Sequence, residues 1–255
     1  MPHQPKREPT ERGMIGRRSL LGLSAASAAG LTVCGCDFLP YYWFTVRYRL
    51  TLEVETPDGL KVGSGVIENV WTRNEFDIPR SSVRSRDRGE AVVVDLGSHG
   101  LLFALLCGRD RNGSRGSSDN MHDLPLEVFQ RIKAIGPNTG TPGAQMRQLI
   151  GLKQEAELTQ QEIPFLVRFR DIADPATVEK VDPNNLAKSF GAGVRLKRAT
   201  IEITSDPVTK GIEKRLGWLP QYYDKLFDGQ RYQTIDATNR LANSLGSGDF
   251  KAGRN

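Results

Sequence analysis

Apolar and polar residues alternate without a break over residues 46–55. Val46, Tyr48, Leu50, Leu52 and Val54 fall on one side, and Arg47, Arg49, Thr51, Glu53 and Glu55 on the other. Strand side chains point to opposite faces in turn, so this pattern predicts a strand with one face in a core and one in water. Thr56-Pro57-Asp58-Gly59 follows, with Pro at the second turn position and Gly at the last. A second strand is predicted over residues 60–71, and the two form a long antiparallel hairpin. Gly63-Ser64-Gly65 interrupts the second strand, which predicts a bulge or the close approach of another backbone.

Further along, residues 73–90 are polar and arginine-rich and read as a loop. Residues 91–96 and 101–106 are apolar strands around the turn Gly97-Ser98-His99-Gly100, and residues 108–120 are flexible in composition. Asp123 can cap a helix over residues 124–135, with Val128, Phe129, Ile132 and Ile135 on one face. Residues 144–161 are partly helical, and residues 165–169 and 194–204 are strands. Asp174-Pro175, Asp182-Pro183 and Asp206-Pro207 can each start a helix, because Asp caps and Pro fits the first helical position. The third is followed by Val208, Ile212 and Leu216 at helical spacing. This order predicts an α+β fold: a mainly antiparallel sheet built from hairpins, with several short helices in the C-terminal half. A β-sandwich with peripheral helices is the alternative.

Several chemistries are excluded by what is missing. There is no HxH, HExxH or CxxC pattern, no Walker-type loop and no GxGxxG, so no metal or cofactor is expected. Gly63-Ser64-Gly65-Val66-Ile67 resembles a strand of trypsin-like proteases, yet neither the base histidine nor a Gly-Asp-Ser-Gly-type turn follows. A hydrolase would have to use His99 with Asp95 or His122. Cys107 ends an apolar run and reads as a buried thiol, with Arg109 as the one neighbour favouring reactivity. Arginines cluster in two predicted loops, Arg80, Arg84, Arg86 and Arg88 in one and Arg109 and Arg111 in the other. If these loops meet, they can hold an anion such as a lipid headgroup or a phosphate.

The N-terminal 36 residues carry a separate message. Arg17-Arg18-Ser19-Leu20-Leu21 precedes a short run rich in Ala, Gly and Ser, which ends in Val33-Cys34-Gly35-Cys36. Positive charge followed by a short apolar stretch and small residues marks a secretory signal. Arg17 and Arg18 resemble the twin-arginine export motif, and Val33-Cys34-Gly35-Cys36 resembles a bacterial lipobox. The resemblance implies cleavage before Cys36 and acylation of that residue, with palmitate among its lipids. It also implies an envelope location on the periplasmic side, with Asp37 favouring the inner membrane. A start at Met14 rather than Met1 fits the same pattern.

On this reading residues 1–35 are a signal, and residues 36–241 form one α+β envelope domain with a sub-boundary near 108–120. Residues 242–255 are a disordered tail. The first 35 residues hold five of the 35 Lys and Arg and two of the 30 Asp and Glu, which leaves 30 against 28. That near balance removes any charge argument for nucleic acid. The expected role is a non-catalytic binding or interaction module held to the membrane by its lipid, with an envelope protein or ligand as partner. Labelled fatty acid should enter the wild-type chain and not Cys36→Ser; equal labelling of the two contradicts the lipid anchor.

Overall fold

The structure, a computed structural model, describes residues 41–74, 83–110, 114–116, 119–137 and 144–253. Cys36, Arg17, Arg18, Arg80 and Arg111 lie outside the described residues. The hairpin is present and longer than its pattern: β1 (Tyr41–Thr56) pairs with β2 (Gly59–Asn74) from Tyr41↔Asn74 to Thr56↔Gly59. Tyr48, Leu50, Leu52 and Val54 are buried, as the alternation requires.

The other strands are β3 (Val83–Glu90), β4 (Val92–Asp95), β5 (Leu101–Ala104), β6 (Glu155–Glu157), β7 (Leu166–Phe169), β8 (Val178–Lys180), β9 (Arg195–Ile203) and β10 (Lys251–Ala252). They form two antiparallel sheets, ordered β10-β3-β2-β1-β9-β6 and β4-β5-β7-β8. Three short helices join them, α1 (Asp119–Arg131), α2 (Ala144–Ile150) and α3 (Ala187–Phe190). The fold is α+β with hairpin-built antiparallel sheets, and Leu39–Asn255 form one compact unit.

The glycines on β2 explain how the sheets meet. β1 and β2 stay in register past Gly63 and Gly65, so there is no bulge there. An added Cβ on Gly63 would lie 2.3 Å from the Val93 carbonyl oxygen, and one on Gly65 would lie 3.1 Å from Val92 Cγ2. β4 therefore crosses β2 backbone to side, where only hydrogen fits. The small sheet is buried on both faces. Val92, Val94, Leu102 and Ala104 pack on the large sheet, while Phe103, Leu105 and Val167 pack on a second cluster. Burial on both sides is why residues 101–106 are continuously apolar rather than alternating.

Four expectations are corrected. Within residues 73–90, β2 runs to Asn74 and β3 occupies Val83–Glu90 rather than a loop, because cross-strand pairing overrides polar composition. Opposite charges help, with Arg88 directly across from Glu68. Residues 242–253, expected to be disordered, are folded: Leu245 and Phe250 are buried, and β10 pairs with β3. No helix follows Asp206-Pro207 beyond a 3-10 turn at Ile212–Lys214. Thr209 instead docks on β2, with its N–H 3.1 Å from the Val66 oxygen and its hydroxyl accepting from Val66 N–H at 2.8 Å.

The fourth correction concerns α1, which starts at Asp119 and runs through Pro125. Pro125 has no N–H, so the carbonyl of Met121 loses its helical donor. The sheet replaces it: the Tyr48 hydroxyl donates to Met121 O at 3.1 Å, and Asn69 Nδ2 lies 3.4 Å away. Burial first, then the Asp87 charge, raises the Tyr48 pKa well above its ordinary value, so the donor stays protonated. Two predictions follow from this packing. Gly63→Ala should destabilise by about 3 kcal/mol or more, against about 0.5 kcal/mol or less for the exposed neighbour Ser64→Ala. Tyr48→Phe should cost about 1–2 kcal/mol, because the carbonyl keeps only the longer Asn69 contact, and clearly less in a Pro125→Ala background. Denaturant unfolding measures both, and equal costs in the two backgrounds contradict the replacement.

Candidate functional site: a basic cleft where β3 leaves β2

β3 accompanies β2 only as far as the Arg88↔Glu68 pair. Beyond it Gly89, at φ +151°, and Glu90 lead the chain towards the small sheet. The strip of β2 left uncovered is met by residues 207–211, and beside this junction lies an open cleft of about 820 Å³. Its walls bring together Arg47, Arg88, Lys210, Lys214 and Lys251 with Glu68, Glu90 and Glu213.

Each carboxylate in the cleft is already engaged. Glu68 is buried and takes Arg47 Nε at 2.7 Å and Arg88 Nη1 at 3.1 Å. Buried Glu90 accepts from Ile212 N–H at 2.7 Å, at the start of the 3-10 turn. Glu213 takes Lys251 Nζ at 2.8 Å, which pulls its carboxyl below the usual range and raises the lysine. Lys210 and Lys214 are exposed and have no ion pair among the described residues. Five cations therefore face three occupied carboxylates, and two lysines remain unspent. The one hydroxyl on the wall, Thr209, is bound to β2, so the cleft offers cationic and N–H donors and no nucleophile–base pair. Such a set binds an anion.

Of the arginines named from sequence, Arg88 lines this cleft. Arg84 and Arg86 lie on β3 opposite Thr72 and Val70. Arg109 donates to Ile163 O at 3.1 Å, and its guanidinium pKa is lowered by burial. Arg47, Lys210, Lys214 and Lys251 escaped the sequence reading because they come from three distant segments. The spacing of Lys210 and Lys214 across a glycine was the only local signal.

His99, Asp95 and His122, the residues that the alternative hydrolase reading would use, each have separate partners. His99 Nδ1 lies 2.8 Å from Phe190 O, and its Nε2 is 3.9 Å from Asp58 Oδ2. Asp95 is turned away, accepting from Gly97 N–H at 3.0 Å and facing Arg215 at 3.5 Å. His122 pairs instead with Asp87, Nδ1 to Oδ1 at 2.5 Å, with its ring 4.2 Å from that of Trp71. Its Nε2 is buried and unpartnered, sealed from any substrate. Among the described residues no group of three His, Cys, Asp or Glu can hold a metal, and no helix is long and apolar enough to cross a membrane.

Cys107 is buried, and burial pushes its thiol up to about 12. The cation beside it is Arg115 rather than Arg109, and Arg115 is tied to Asp249 at 2.5 Å and 2.9 Å. A thiol whose folded pKa lies above its ordinary 9.0 stabilises the fold below pH 9 and loses that contribution as pH rises towards 12. Unfolding free energy should therefore fall more steeply between pH 9 and 11 for the wild type than for Cys107→Ala; parallel curves contradict the burial. No protein-family model, curated protein or solved structure matches the chain.

Proposed function

We propose that this chain is a lipoprotein of the cell envelope, held on the periplasmic side through Cys36, and that its folded part is a non-catalytic module binding a phosphate-type anion in the basic cleft. The anchor rests on the signal and lipobox resemblance of the first 36 residues. The binding role rests on one observation: Lys210 and Lys214 stand unpaired beside an Arg47–Glu68–Arg88 bridge whose carboxylate is already satisfied. Cationic N–H donors to phosphate oxygen make stronger hydrogen bonds than neutral pairs. The bridge also holds two guanidinium groups in place, so little side-chain freedom is lost when an anion arrives. A hydrolase reading has the His122–Asp87 pair in its favour and the sealed Nε2 against it.

Calorimetric titration of glycerol 3-phosphate into the full chain carrying Cys36→Ser tests this reading. Binding should weaken as salt rises, because exposed cations are screened within about 8–10 Å at physiological ionic strength. Lys210→Glu with Lys214→Glu should lower affinity tenfold or more, and Lys180→Glu on the small sheet should leave it unchanged. Equal loss from both changes, or no binding by the unaltered cleft, contradicts the assignment.

A further inference from the structure

A second open cleft of about 510 Å³ adjoins the first through a shared residue, Arg47. The Arg47 guanidinium reaches Glu68 on one side and the Ser205 carbonyl, at 3.4 Å, on the other. Glu68 belongs to the basic cleft, and Ser205 lines the second. The second cleft exists because β9 stops at Ile203, opposite Tyr48. Past that point Thr204 N–H still reaches the Arg47 carbonyl (3.0 Å), and Ser205 and Asp206 meet β1 through the side chains of Arg47 and Arg49.

The two clefts differ in chemistry. The second is walled by Val46, Ile150, Leu152 and Ile203, with the hydroxyls of Thr45, Thr204 and Ser205 at its edge. Ile150, at the end of α2, leaves 46% of its surface in water, and Leu152 and Ile203 are half-buried. Lys153 adds a cation on the rim, where a long aliphatic stem can cover apolar surface while its charge stays wet. A cationic cleft and a mixed cleft with one apolar wall, sharing one arginine, complement a molecule with an anionic head, a polar neck and an apolar tail.

We propose that the site takes a single amphiphile, a phosphate monoester or diester bearing an acyl chain. Its phosphate sits by Lys210 and Lys214, and its ester oxygens lie by the Thr204 and Ser205 hydroxyls. Its chain lies along Ile150, Leu152 and Ile203. This rests on the anion-binding reading of the basic cleft and adds the tail and its place.

The test is an acyl-chain series, glycerol 3-phosphate against its monohexanoyl and monooctanoyl esters below their micelle concentrations, with the full chain carrying Cys36→Ser. Burying a methylene is worth about fourfold in affinity, so affinity should climb several-fold with each added carbon until the cleft is filled. Ile150→Asp should flatten that climb while glycerol 3-phosphate binds as before. Lys210→Glu with Lys214→Glu should weaken every member of the series. Equal affinity with and without a chain overturns the amphiphile and leaves the anion site standing; loss of glycerol 3-phosphate binding itself overturns both. Co-sedimentation with phosphatidylglycerol vesicles separates the sources. Release of bound octanoyl ester by the vesicles supports one seated lipid, whereas vesicle binding that Ile150→Asp does not alter points to a charged surface alone and overturns the seat.

Discussion

The contact between the hydrogen of Gly63 and the carbonyl of Val93 is the constraint from which the rest of the molecule is arranged. β2 carries no side chain at Gly63 or Gly65, so β4 can lie directly across it and bring the small sheet onto the apolar face of β1. To reach β4 the chain must part from β2 at Gly89, only a few residues after β3 has paired with it, while Gly89 and Glu90 still pair with β10. That early departure leaves Val66 with free backbone groups, and Thr209 takes them up. The basic cleft is thus a by-product of a strand that changes sheets. Its walls are the end of β3, residues 207–214 and the β10 segment, together with Arg47 of β1 and Glu68 of β2.

Buried polar groups are placed to satisfy one another around this frame. Glu68 is tolerated in the sheet because two arginines from neighbouring strands reach it, and neither has to be fully desolvated to do so. Met121 keeps its carbonyl satisfied despite Pro125 because Tyr48 supplies the missing donor. Among the described residues, Asn69 Oδ1 and His122 Nε2, the latter in the first turn of α1, are the exceptions, buried without partners. They sit beside the Asp87 pair, where an unpaired group is tolerated at the expense of local stability.

Much of the fold was legible where one face of an element meets water, or where both faces are buried and the run is continuously apolar. β1 follows from strict alternation, β2 from the turn that makes it the hairpin partner of β1, β4 and β5 from apolar runs about a glycine turn, and the Gly63-Ser64-Gly65 interruption from the close approach of another backbone. β3 was hidden because both of its faces are polar: Arg86 and Arg88 alternate with Ser85 and Asp87, and Asp87 turns inward to a histidine no local pattern announces. Glycine and serine concealed the C-terminal segment, although Leu245 and Phe250 belong to the second apolar cluster and Leu241 packs against it. The cleft was legible only at Arg88. Its other cations come from residues 47, 210, 214 and 251, and no short-range pattern can join positions that a change of sheet brings together.

The central claim is that the cleft left by β3 is an anion site. Backbone amide NMR of the full chain carrying Cys36→Ser, titrated with glycerol 3-phosphate, addresses it most directly. Saturable shifts confined to residues 88–90, 209–214 and 251–253 are the expected result. Shifts spread over the lysine- and arginine-bearing outer surface of β9, or none at millimolar ligand, would contradict it.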